Sequence, residues 1–496
     1  MTSDRAEEQQ RSIALALRRA ELTVDELWMR YFALGGAAGV IEIDAYVHAL
    51  AGLAPLQRDI LAQAVNERLD ELTPPHRAGY SRPFRESRPR SQPLAALVEL
   101  LEGSELAPPE RLPAVAKAAG QALGVDITIY LVDYDQRRLH PLPACDDSSV
   151  QRTSLEIDST LAGRAFRQVR TLPAEAADRP RLWVPLLDGV ERLGVLDVAV
   201  PDLDDLYDVG LRTQCRWLSV LLGHLVTLLT HYGDALDLVR LRTRRTVPGE
   251  LVWSLLPPLT AGVDNFVITG VVEPRQEVSG DVFDYALSET TASLIILDAV
   301  GHDLRSGLIA ATALAAYRSA RLAGHGLFEQ ARGIEESISE QFGRSAFVTA
   351  ILAEVDLVGG RLRYLNAGHP SPLIMRAGKI VKLLTGGHRP PLGLGLGEAT
   401  VAEETLQPDD WLVLHTDGVT EARDHTGEFF GEARLADFLH REAAAGHPPP
   451  ETVRRLIRAV LDHQNGVLQD DATVVLARWT PGGSRTAAGS DPPASC

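Results

Sequence analysis

A chain of 496 residues is too long for one hydrophobic core and suggests about three folding units. Its apolar content of 45% and charged content of 23% suit globular protein, whereas a formal charge of −18 disfavours nucleic acid and anionic membrane, both of which attract basic surfaces. Cys145, Cys215 and Cys496 lie far apart with no C-x-x-C pair, which excludes a disulfide framework or cysteine zinc site and suits a reducing, cytoplasmic compartment.

The polar start, Met1 to Gln10, has the character of neither a signal nor a transit peptide. The most apolar segment, Trp217 to Leu229, is too short to cross a bilayer, so no membrane span is expected. Residues 1–72 read as a helical module. Ile13, Leu17 and Ala20 share one face, and Thr23 to Glu26 form a capping box for the next helix. A docking or dimerising bundle is the expectation there, with no chemistry assigned. Residues 73–93 combine repeated Pro with five Arg and almost no aliphatic side chain, the composition of a disordered, solvated linker.

Over residues 94–210 helix and strand signals alternate. A helix at Leu112 to Leu123 precedes a strand at Ile127 to Val132 and a DYDQ turn; a helix at Leu161 to Gln168 precedes strands Leu182 to Leu187 and Gly194 to Val200 around Asp188-Gly189. The run DSTLAGRAF at 158–166, followed by RLWVPLLDGVERLGVLDVAVPD at 181–202, resembles GAF domains. That resemblance implies an α/β sensor enclosing a small ligand, whose identity no residue reveals; an empty domain used for dimerisation is the other reading.

Over residues 211–248, Leu218, Leu221, Leu225, Leu228, Tyr232, Ala235 and Val239 alternate in steps of three and four. This heptad seam predicts a coiled-coil signalling helix and a homodimer; a helix packed on its own sensor is the alternative. In either case the helix is expected to run on into Leu251 to Leu256.

In the last half, residues 249–480, apolar stretches repeatedly meet an aspartate beside a glycine. Phe266 to Val272 leads to Gly280-Asp281, Ser293 to Leu297 ends in Asp298 with Gly301 close by, and Trp411 to Thr416 ends in Asp417-Gly418. Asp470-Asp471 opens a further strand, Ala472 to Trp479. A single such aspartate reads as a turn cap. Four strand ends meeting at one rim would instead repel one another unless cations neutralise them. Oxygen ligands without a His or Cys cluster favour Mg²⁺ or Mn²⁺ over zinc, and a pair of ions about 3.5 to 4 Å apart suits phosphate ester hydrolysis.

The ordered motifs EVSGDVFD (277–284), DAVGH (298–302), NAGHPSPL (366–373), PPLGL (390–394), TDGVTEAR (416–423) and DDATVV (470–475) resemble the type 2C metal-dependent protein phosphatases, in their sporulation stage II E branch. The resemblance implies a C-terminal αββα sandwich phosphatase, which with the helical module, GAF-like sensor and coiled-coil linker helix read above makes an α+β multidomain chain; the Gly/Pro/Ser-rich composition of 481–496 predicts a disordered tail. It implies two Mn²⁺ or Mg²⁺ ions, bridged by Asp298 with the Ala299 carbonyl. Asp417 and Asp470 would hold the first ion and Asp281 the second, Asp471 would orient the site, and a metal-bridging water would attack the phosphorus. His302 is a candidate proton donor to the leaving oxygen, and His369 is expected to be structural. Asp303 stands where the family has glycine; it either caps the next helix or adds charge near the metals.

The implied function is a protein serine phosphatase controlled by its sensor, acting on a phosphorylated anti-sigma factor antagonist of the STAS type. The alternative is an inactive scaffold that binds such a partner. A cyclic-nucleotide synthase is disfavoured because Val282 and Phe283 follow Asp281 without the acidic residue and phosphate loop of a cyclase. A sensor kinase is disfavoured because no glycine-rich ATP lid follows residue 248.

Overall fold

The computed structural model describes residues 2–72, 91–143, 152–175, 179–242, 245–275, 279–395 and 400–481. Cys145, Glu277, Cys496, most of the expected linker and nearly all of the expected tail lie outside those residues. The chain divides into two compact units, Met1–Pro89 and Arg90–Cys496.

The first unit is a helical cluster of α1 (Thr2–Arg19), α2 (Val24–Ala33), α3 (Val40–Val47) and α4 (Pro55–Leu72). The apolar stripe foreseen on α1 closes on Leu27, Tyr31, Ile43, Leu61 and Val65, all fully buried. The Thr23 backbone N–H donates to Glu26 Oε2 at 2.8 Å and the Glu26 N–H to Thr23 Oγ1 at 3.3 Å. This reciprocal pair satisfies two of the donors that a helix start leaves open.

The second unit begins with α5 (Gln92–Ser104), whose first residues fall inside the expected linker, and α6 (Leu112–Leu123). An antiparallel sheet follows, in spatial order β3 (Leu155–Glu156), β2 (Arg138–Pro141), β1 (Asp126–Val132), β6 (Glu191–Ala199), β5 (Arg181–Asp188) and β4 (Leu172–Ala174). Its side chains alternate between two faces. Ile129, Leu131, Leu182 and Val184 meet α5, α6 and α8 (Val209–Thr230), while Tyr130, Trp183 and Val195 meet Phe166 of α7 (Leu161–Gln168).

The expected continuous coiled-coil helix over 211–248 is corrected here. The helix ends at Thr230, and α9 (Ala235–Arg240) and α10 (Val247–Trp253) follow as separate pieces. Leu218, Leu222, Val226 and Leu229 are buried against the helix's own sheet, whereas Leu228 and Tyr232 of the proposed seam are 57% and 61% exposed. The physical reason is period: a spacing of 3.6 that fits a sheet face and a spacing of 3.5 that fits a partner helix differ little over three turns. The route expected through an unbroken helix into Leu251 is broken with it.

The remainder forms two six-stranded sheets. One contains β9 (Asp281–Leu287), β10 (Thr291–Ala299), β11 (Val348–Asp356), β12 (Arg361–Ala367), β15 (His388–Arg389) and β16 (Ala402–Thr405). The other runs β14 (Lys379–Leu383), β13 (Leu373–Arg376), β17 (Trp411–His415), β18 (Ala472–Trp479), β8 (Phe266–Glu273) and β7 (Thr260–Val263). Phe283, Leu294, Ile296 and Ile351 of the first share one core with Ile268, Leu412, Leu414 and Val475 of the second, so the sheets face each other. On the outer faces, α11 (Leu304–Leu322) and α12 (Leu327–Phe342) cover the first sheet. α14 (Gly431–Ala444) and α15 (Pro449–His463) cover the second, and the single turn α13 (Asp417–Thr420) opens from β17.

Candidate metal centre

Strand pairing brings the aspartates to one end of both sheets. Asp281 opens β9 directly opposite Asp298, near the end of the antiparallel β10. In the second sheet β17 and β18 are antiparallel neighbours, so Asp417, just after β17, and Asp470-Asp471, just before β18, share an end. Two glycines make the approach possible. A Cβ on Gly280 would stand 2.7 Å from the Ala299 carbonyl oxygen, and one on Gly418 1.9 Å from that of Asp471. Only a residue without a side chain fits either place.

The inner carboxylates are held by short hydrogen bonds. Asp471 accepts from the Arg275 and Gly280 N–H groups, each at 2.7 Å, which ties β18 to the segment leading into β9. Asp281 Oδ2 accepts from Thr416 Oγ1 at 2.8 Å, and the same hydroxyl accepts from the Thr473 N–H at 2.9 Å. Asp470 Oδ1 accepts from the Asp471 N–H at 2.9 Å. Thr416 thus joins the two sheets at the site. In the sequence Thr416 carries no signal of its own, since a hydroxyl beside an aspartate looks like any strand residue.

Burial grades outward: Asp281 and Asp471 are buried, Asp298 and Asp417 half-buried, and Asp470 exposed. Burial, then the charges of Asp298 and Asp471, lifts the Asp281 carboxyl well above the usual carboxylate range. Burial and the carboxylates of Asp417, Asp470 and Asp471 push Asp298 up to about 7. Asp417 is raised by burial and by Asp470, and Asp471 by burial against the pull of its backbone donors. Mutually repelling oxygens of this kind are what a hard divalent cation relieves. The donor set therefore fits Mg²⁺ or Mn²⁺. Among the described residues, however, no three carboxylate, histidine or cysteine side chains are drawn together as a ready ligand shell. The five aspartates form a charged neighbourhood, not a closed coordination sphere.

His302 stands exposed on the loop between β10 and α11. Asp303 caps α11, accepting from the Arg305 and Ser306 N–H groups at 2.9 and 3.1 Å. His369 is buried with Nδ1 2.7 Å from Thr349 Oγ1, and its backbone N–H donates to Asn366 Oδ1 at 2.8 Å. Burial and the neighbouring His415 lower its pKa to about 3, which keeps the ring neutral.

Residues 288–480 match the family model described as Stage II sporulation protein E. The chain is 27% identical over 258 residues to Protein IcfG of Synechocystis sp., covering 46% of this chain and 40% of that protein. It is 27% identical over 164 residues to Phosphoserine phosphatase RsbP of Bacillus subtilis, covering 32% of this chain and 40% of that one. The chain thus spans about two fifths of the length of these relatives. Among solved structures, the SiaA-PP2C domain of Pseudomonas aeruginosa superposes with a TM-score of 0.41 at 24% identity, over 47% of this chain and 94% of that one.

Proposed function

We propose, from the premise that residues 288–480 are a type 2C phosphatase domain of the stage II sporulation protein E family, that this chain is a metal-dependent protein serine phosphatase. The observation that carries the reading is the convergence of Asp281, Asp298, Asp417, Asp470 and Asp471 on one end of two facing sheets. Asp298 and Asp281 lie opposite each other and would hold the ions from the first sheet, with the Ala299 carbonyl beside them. Asp417 and Asp470 would hold them from the second. Asp471, occupied by two backbone donors, orients the segment that carries Asp281. When bound, two Mn²⁺ or Mg²⁺ ions supply an activated water and neutralise phosphoryl charge. Asp470, at the exposed edge, leaves the site open to a substrate as large as a protein, and His302, also exposed, is the residue we assign to give a proton to a leaving serine oxygen.

The similarity to a phosphoserine phosphatase supports phosphoserine on a regulatory protein as substrate, and a phosphorylated STAS-type anti-sigma antagonist is the class we assign. The α/β half upstream, with GAF-like sequence, is the sensor, and a small molecule is its expected ligand. Among the described residues no helix is long and apolar enough to cross a membrane.

The test is phosphate release from a phosphoserine protein by the full chain across a Mn²⁺ titration, beside Asp298→Asn and Asp417→Asn. Each substitution is expected to reduce the rate at least about a hundredfold, since it removes the charge that holds the ions. Equal rates in the three proteins would overturn the reading. Binding of the phosphoprotein with no release by the wild-type chain would favour a scaffold instead.

A further inference from the structure

Among the described residues the most deeply buried ionic network lies away from the aspartates, where the sensor half meets α15. Arg192, on sensor strand β6, donates from Nη1 to Glu451 Oε2 at 3.1 Å and from Nη2 to Gln136 Oε1 at 3.3 Å. Arg454 closes on the same carboxylate, with Nε to Oε2 at 2.9 Å and Nη2 to Oε1 at 2.7 Å. Arg454 Nη2 also reaches back to Asp158 Oδ1 at 2.7 Å, just ahead of α7, and Arg458 pairs with the same aspartate. The side chains of Arg192, Glu451 and Arg454 are 4%, 0% and 2% exposed. On its sensor side the Arg192 guanidinium lies 4.5 Å from the centre of the Phe166 ring, inside the core between α7 and its sheet.

Such a cluster is an expensive way to glue two halves together. Stripping water from buried ions costs about as much as their attraction returns, so apolar residues would hold the junction as well. What ions do better is fix one arrangement. Here the arrangement fixed is the first turn of α15. Val453, Leu456, Ile457 and Val460 of that helix share a core with Ala472 and Val474 of β18, and Val271 of β8 packs against it. β18 begins at the residue after Asp471, and β8 leads to Arg275, whose N–H is bound by Asp471.

We propose that Arg192 and Glu451 are positioning residues for the metal centre: the sensor grips α15 through them, and α15 holds the ends of β8 and β18 in the register that supports Asp471 and Asp281. The proposal rests on the metal-dependent phosphatase reading and adds the route by which the sensor governs it. A change at α7 reaches Arg192 through Phe166 and leaves the sensor through Glu451, so sensor state is read out as affinity for the divalent ion.

The experiment uses the full chain as wild type, Arg192→Gln, Glu451→Gln and the double variant, with Mn²⁺ uptake by calorimetry, phosphate release against Mn²⁺ and thermal melting. Each single variant is expected to weaken Mn²⁺ binding at least about threefold. The rate at saturating Mn²⁺ should stay within about twofold of wild type, and the double variant should bind Mn²⁺ no more weakly than Glu451→Gln alone. Arg192→Lys keeps the charge but loses the two-armed fork, and should fall between wild type and Arg192→Gln; it serves if Glu451→Gln does not fold. Lowered melting temperatures with unchanged Mn²⁺ affinity would overturn the proposal and leave the phosphatase reading standing. A wild-type chain that takes up no Mn²⁺ would overturn both.

Discussion

Glu191 sits beside Arg192 in sequence but faces a different partner, accepting a hydrogen bond from the Thr260 N–H at the start of β7. Burial raises its carboxyl to about 7, against the lowering pull of Arg240 and of the Thr260 bond. The folded protein therefore keeps this proton up to about pH 7, while the unfolded chain releases it near pH 4.5. Between those values the folded state binds more protons, so its contribution to stability falls as pH rises. Glu191→Gln, which cannot ionise, should abolish that part of the dependence. Melted from about pH 5 to 8, the wild type should lose at least about 2 °C relative to the variant; parallel curves would reject the assignment. Thr416 yields a second prediction. Thr416→Val removes the donor to Asp281 and strands the Thr473 N–H, a buried loss of about 1 to 3 kcal/mol. Thr416→Ser keeps both bonds. Valine should lower the melting temperature and weaken Mn²⁺ uptake, and serine should restore most of each; equal behaviour would show that the hydroxyl is idle. The aspartates stood out in the sequence because an acid recurs at the end of several apolar stretches, where a single one would read as a turn cap. Thr416 was not, because its importance comes from Asp281 and Thr473, which only folding brings near.

α8 shows why an element can be read correctly while its partner is misread. Its helical period was plain in the sequence, and so was its apolar face. The partner was not, because the choice between sheet and second helix is decided by contacts distant in sequence. Gly223 settles it in space: a Cβ there would stand 1.8 Å from the Leu187 carbonyl oxygen, so the helix lies directly on β5. A glycine at mid-helix was the available signal, since close backbone approach explains its otherwise unfavourable presence. Leu222→Ala should then cost about 2 to 5 kcal/mol by opening a cavity in the core that α8 shares with that sheet. Leu228→Ala, at a position 57% exposed, should change stability by less than about 0.5 kcal/mol. Denaturant melts of the two variants distinguish the cases, and comparable losses would return the coiled-coil seam to consideration. Gly359-Gly360 and Ala377-Gly378 mark in the sequence the turns that join β11 to β12 and β13 to β14. α14 was not foreseen: its buried residues, Leu435, Phe438, Leu439 and Glu442, are few and include a charge.

At the scale of the whole chain, two cuts that look alike in sequence have different physical consequences. The first unit closes Leu27, Tyr31 and Leu61 into its own core, so a chain starting at residue 90 removes a complete core. Such a chain should keep the melting temperature of the second unit and its affinity for Mn²⁺. A cut at residue 245, just ahead of the boundary expected at 249, removes Arg192 from Glu451, Asp158 from Arg454 and Glu191 from the Thr260 N–H. It leaves Glu451 and Arg454 paired only with each other on a helix face that was buried. Loss of one partner from a buried ionic cluster costs about 3 to 5 kcal/mol, and the loss falls on the helix that backs β8 and β18. Residues 245–480 alone should therefore melt lower than residues 90–480 and need at least about threefold more Mn²⁺ for half-maximal rate. Identical melting temperatures and Mn²⁺ requirements for the two fragments would show that residues 90–244 are only carried by the C-terminal half and contribute nothing to its active form.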